Sequence, residues 1–100
     1  MGPEDFVVVL VTAGTAEEAT LIGRALVEAR LAACANVVGP INSIYRWKGA
    51  VEEVVEHLLL VKARAADLGA LEAEVRARHG YELFEVLVLL IRSDSNTYLS

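Results

Sequence analysis

Phe6-Val7-Val8-Val9-Leu10-Val11 is apolar at every successive position. Neighbouring side chains of a β-strand point to opposite faces, so such a run needs cover on both. Leu58–Val61 and Val86–Ile91 have the same character, which predicts a sheet with two apolar faces. The rest of the chain has room for two ordinary helices, one layer of cover, and the second face has no partner within the chain. The sequence therefore predicts an obligate oligomer.

Between these runs the hydrophobic period changes. Thr15 and Glu18 have the spacing of a capping box and open a first helix of about 16 residues. Ala19, Ile22, Leu26, Ala29 and Ala33 form its apolar stripe. From Cys34 the period is two, as far as Trp47, with a bulge or bend expected at Gly39-Pro40. Lys48-Gly49 reads as a hairpin turn, with the glycine supplying positive φ. The return strand runs from Ala50 to about Lys62, so each arm reaches ~40 Å against ~24 Å for the helix. A ribbon that overshoots its helices and carries Ile44, Tyr45, Trp47 and Val51 is expected to grip another subunit. A second helix follows over about Ala65–His79, with Leu68, Leu71 and Val75 as its stripe and Gly80 as an αL cap. The last strand spans Leu83–Ile91. The order β-α-β-β-α-β is the split βαβ, or ferredoxin-like, α+β arrangement, with two helices on one face of an antiparallel sheet.

Composition agrees. One hundred residues make a single domain, 1–100, with residues 1–4 expected to be disordered and 95–100 a short C-terminal helix or tail. The hydrophobic fraction is 55%, above the roughly 45–50% usual for soluble domains, and the excess fits a subunit interface. A net charge of −5, with nine Lys and Arg in no cluster, gives no footprint for nucleic acid. The acidic start Met1-Gly2-Pro3-Glu4-Asp5 lacks a signal peptide's basic region, and no apolar run nears the roughly 20 residues that span a bilayer. A cytoplasmic location without membrane contact is expected, and the lone Cys34 fits a reducing compartment.

Ala25-Leu26-Val27-Glu28-Ala29-Arg30-Leu31-Ala32-Ala33-Cys34-Ala35-Asn36-Val37, then Ser43-Ile44-Tyr45-Arg46-Trp47-Lys48-Gly49, resembles the CutA divalent-cation tolerance family. Leu58-Leu59-Leu60-Val61-Lys62-Ala63, His79-Gly80-Tyr81-Glu82, Glu85 and Asn96-Thr97-Tyr98-Leu99 continue the pattern in order. The resemblance implies a homotrimer built like the PII signalling proteins, its long hairpins pairing across subunits. It also implies a link to tolerance of copper and other divalent cations, anchoring of a partner protein in animal members, and no established enzymatic activity. The chain departs from the family pattern at Ala13-Gly14, where a cysteine is common, and at Arg78, where a ligand precedes the histidine. Gly80 and Phe84 stand where prolines are usual. Two of three copper donors that the resemblance implies are thus absent.

Cys34, His79, His57 and the carboxylates offer donors for Cu or another divalent cation, yet no pair has diagnostic spacing. Cys34 reads equally as a small buried hydrophobe, and His79 as a C-terminal helix residue interacting with the dipole. Glu53 and His57 share a strand face but stand some 13 Å apart. Tyr45 and Trp47 read as interface packing or as a ligand wall. Lys62, Tyr81 and Glu85 form either a structural ion pair with a tyrosine hydrogen bond or a cleft for a small anion or metabolite. Three functions stay open: a trimeric binding or regulatory protein, a structural trimer that anchors a partner, and a small ferredoxin-like enzyme. The last would lack a Gly-rich phosphate loop.

Overall fold

The computed structural model describes residues 2–80 and 86–93. The expectations for Tyr81, Phe84, Glu85 and the tail 95–100 lie outside the described residues. The elements are β1 (Phe6–Ala13), α1 (Ala16–Glu28), β2 (Cys34–Trp47), β3 (Ala50–Arg64), a 3-10 turn (Ala65–Asp67), α2 (Leu68–Arg78) and β4 (Val86–Leu90). The four strands form one sheet in the order β2-β3-β1-β4, and every pairing is antiparallel. This is the expected βαββαβ arrangement.

Alternation along β1 decides the layers. Val7, Val9, Val11 and Ala13 are buried, while the residues between them are only half-buried. The buried set meets Ala63, Val61 and Leu59 across β3 and Ile22 and Leu26 of α1, with Leu71 and Val75 of α2 completing the core. Gly23 lets α1 settle close to the sheet, since a Cβ there would stand 3.1 Å from both Ala35 Cβ and Leu59 Cδ1.

The register also defines the opposite face. One row runs Cys34, Lys62, Val8, Leu89; the next Asn36, Leu60, Leu10, Leu87; the third Val38, Leu58, Thr12. Leu87, Leu89 and Val38 are exposed, and Val8, Leu10, Leu58 and Leu60 are only partly covered. No helix among the described residues lies on this side.

Two expectations about the helices need correction. The first helix ends at Glu28, short of the expected length, so Ala29 and Ala33 are exposed and only Ala19, Ile22 and Leu26 of the stripe are buried. The stop is a Schellman closure: Leu31 N–H donates to Leu26 O at 2.9 Å and Arg30 N–H to Val27 O at 3.0 Å. Arg30 holds the left-handed position at φ 61°, where a Cβ costs roughly 1–2 kcal/mol. At the end of α2, Gly80 is not the αL cap. His79 caps the helix in extended conformation, φ −80° and ψ 136°, and the helix proper begins at Leu68 after the 3-10 turn.

β2 and β3 pair along their length, with a register shift between Val38 and Ile41 at Gly39-Pro40. Lys48 (φ 50°) and Gly49 (φ 82°) make the turn, both with the positive φ that a two-residue type I′ hairpin needs. Beyond the bulge, alternation splits the ribbon's apolar residues between its faces. Tyr45 and Trp47 continue the uncovered sheet face, whereas Ile44, Val51 and Val55 continue the helix side past the helices. All five are exposed, from 46% at Tyr45 to 65% at Ile44, so both faces of the ribbon want cover. At the N-terminus, Pro3 O accepts from Ala66 N–H at 3.2 Å.

Candidate functional site

The end of β1, the start of α1 and the end of α2 converge, and side chains on two of them hold the junction. His79 Nε2 lies 2.6 Å from the Thr12 carbonyl oxygen. A carbonyl only accepts, so this nitrogen carries the proton, and in the neutral ring Nδ1 carries the lone pair. Such a hydrogen bond to a backbone carbonyl is how an imidazole is oriented for a metal ion.

Glu18 supplies the second tie. Thr15 Oγ1 accepts from Glu18 N–H at 3.0 Å, the expected half of the capping box. The Glu18 carboxylate, however, accepts from Gly14 N–H at 3.3 Å and from Gly80 N–H at 2.9 Å, clipping α1 to the end of α2. A proline at position 80 has no N–H to give. A Cβ there would also stand 2.5 Å from Glu18 Oε2. Gly80→Pro should therefore cost about 1–2 kcal/mol, and on a Glu18→Ala background the hydrogen-bond part of that cost should vanish. Urea unfolding of the two variants and the double variant measures it. Arg78, beside His79, is tied to Glu74 one helical turn back.

The remaining predicted site residues lie elsewhere. Cys34 is half-buried, with Sγ 3.6 Å from Asn36 Oδ1. It pairs with Lys62, which pairs with Val8, four residues along β1 from the Thr12 carbonyl that His79 contacts. At ~3.3 Å per residue that is some 13 Å along the strand, so one chain cannot bring Cys34 and His79 to a shared ion. Among the described residues no group of three His, Cys, Asp or Glu side chains is placed to hold a metal. Lys62 lies on the uncovered face beside Cys34, and Tyr81 and Glu85 lie outside the described residues. Sequence reasoning missed the reach of Glu18 to Gly80, a contact across 62 positions, for which no local pattern gives a signal. It also passed over Glu56, buried at 7% on the uncovered side where the ribbon leaves the sheet.

Comparison with known proteins places this arrangement. The family model described as CutA1 divalent ion tolerance protein matches residues 7–100. The chain is 46% identical over 92 residues to the divalent-cation tolerance protein CutA of Thermus thermophilus, covering 92% of this chain and 89% of that protein. It is 49% identical over 78 residues to a CutA homolog of Xenopus laevis, covering 78% of this chain and 52% of that one. The chain thus spans about half the length of that animal relative. The crystal structure of CutA1 from Oryza sativa superposes with a TM-score of 0.92 at 36% identity, covering 97% of this chain and 89% of that one.

Proposed function

The chain belongs to the CutA1 divalent ion tolerance family, and from that premise we propose that it is a self-assembling binding protein serving divalent-cation tolerance, copper among the cations. It works as a cytoplasmic homotrimer and catalyses no reaction. Its ligands are a metal ion, held weakly, or a small anion, taken up in clefts between subunits.

The observation that carries this reading is the uncovered apolar face. A sheet whose second side shows Leu87, Leu89 and Val38 to water gains about 25 cal/mol for each Å² that another copy covers. Assembly also supplies what one chain lacks. Donors that stand some 13 Å apart within a chain can meet an ion only with help from a neighbour, so a cation site belongs between copies. His79, already oriented by Thr12, is the donor of choice, with Cys34 as the thiolate candidate. Lys62, Tyr81 and Glu85 are the residues for a small anion, on the chemistry of a cation flanked by hydrogen-bonding groups.

Titration calorimetry with Cu²⁺ and Zn²⁺ tests the metal half. His79→Ala should weaken Cu²⁺ binding by at least about tenfold, since an imidazole donor is lost outright. Unchanged heats in both His79→Ala and Cys34→Ala would remove these residues from the site.

A further inference from the structure

At the other end of β1 from His79 lies a cleft of about 360 Å³, between the close of α1 and the close of β3. Two arginines line it, and the fold places each by a distinct device. Arg30 sits at the left-handed position of the Schellman closure, φ 61°, where glycine is the usual occupant. Arg64 ends β3 with its guanidinium carbon 5.5 Å from the centroid of the Phe6 ring, a stacked geometry that limits its freedom. Among the described residues neither arginine has a carboxylate partner, and Asp67, also in the wall, is paired with neither. Two such cations at one cleft run against a net charge of −5.

The rest of the lining is apolar, with Phe6, Val27 and Leu31 in it. A guanidinium presents a planar fork that matches a carboxylate. The apolar wall matches an aliphatic body. Asp67 leaves a net single positive charge among the three and opposes a second negative charge on the ligand. We propose that this cleft is a binding site for small organic monocarboxylates with an aliphatic tail, a ligand class independent of the cation reading above.

The test is an amide NMR titration of the assembled protein with 4-methylpentanoate, set beside 4-methylpentan-1-ol and inorganic phosphate. Saturable shifts are expected at the amides of residues 30–33 and 64–67, with a dissociation constant on the order of 1 mM. The alcohol keeps the tail and loses the charge, phosphate keeps charge and loses the tail, and both should bind at least about tenfold more weakly. Arg64→Ala should weaken the carboxylate by a similar factor. Arg30→Gly should weaken it too while raising the thermal midpoint, because glycine suits the left-handed position; its loss of binding therefore cannot come from unfolding. Absence of saturation, phosphate binding as tightly as the carboxylate, or wild-type affinity in both arginine variants would each overturn the proposal.

Discussion

Leu10→Glu is expected to dissolve the assembly. Leu10 stands mid-sheet between Leu60 of β3 and Leu87 of β4, in the central row of the face that no helix covers. If copies of the chain cover that face, the substitution removes about 1.5–3 kcal/mol of leucine burial per subunit. It also buries a carboxylate with no cation opposite it in its row, which costs several kcal/mol more per subunit. Summed over three copies, this exceeds the roughly 5–15 kcal/mol that stabilises an ordinary domain. Analytical ultracentrifugation should show the wild type as a trimer of 10.8 kDa chains and the variant as single chains, folded weakly or not at all. The wild-type unfolding midpoint should rise with protein concentration, because folding and association are linked. Leu21→Glu is the matched control. Leu21 is 57% exposed on α1, and its change should stay within about 0.5 kcal/mol and leave the mass alone. A wild type that sediments as lone, folded chains, or a Leu10→Glu variant that still assembles, would refute assembly through this face.

The uncovered face was legible from composition alone because strand alternation is a rule without exceptions: a run apolar at every position must show half its side chains to each side. The hairpin was legible for a similar reason, since Lys48-Gly49 suits a turn with both φ values positive and the flanking alternation fixes the pairing. Where the sequence misled, a long-range contact outweighed a local preference. An arginine is a poor left-handed residue, so nothing at Arg30 announced the end of α1; the chain turns there because Leu31 returns to the core. Gly80 carried the local signature of an αL cap. In the fold it is drawn out in extended chain because its N–H reaches Glu18 and the preceding ring reaches Thr12. The candidate donors were legible as residue types and not as a site. Whether Cys34 and His79 meet depends on the β1–β3 and β2–β3 registers, and those are settled by the packing of Val7, Val9 and Val11, not by anything near either donor. The ribbon shows the same dependence: the shift at Gly39-Pro40 puts Tyr45 and Trp47 on one face and Ile44 and Val51 on the other, which spacing before the bulge does not foretell.

Gly39→Ala is the second change with a large expected effect. Gly39 has φ 156°, a conformation that side chains other than glycine's rarely adopt. A Cβ there would stand 2.6 Å from His57 Cδ2, 3.0 Å from Cγ and 3.2 Å from Cα. The ring can swing; the Cα belongs to the central part of β3 and cannot. Backbone strain of about 1–3 kcal/mol and overpacking of about 1–3 kcal/mol then add to a loss of roughly 3 kcal/mol or more. His57 itself has a buried Nδ1 with no hydrogen-bond partner, so His57→Ala trades lost packing against relief of an unsatisfied atom and should lie within about 1 kcal/mol of wild type. In the double variant the ring contact is gone while the φ strain remains. The cost of Gly39→Ala should therefore fall by at least about 1 kcal/mol on the His57→Ala background, measured by denaturant unfolding at one fixed protein concentration. An unchanged cost would mean that backbone conformation alone demands glycine, with the ring a bystander. Assembly should weaken in Gly39→Ala before the core does. The bulge sets which faces Tyr45 and Trp47 present beyond Ile41, and a one-residue slip there turns both rings to the other side of the ribbon while leaving Val7, Val9 and Leu59 in place.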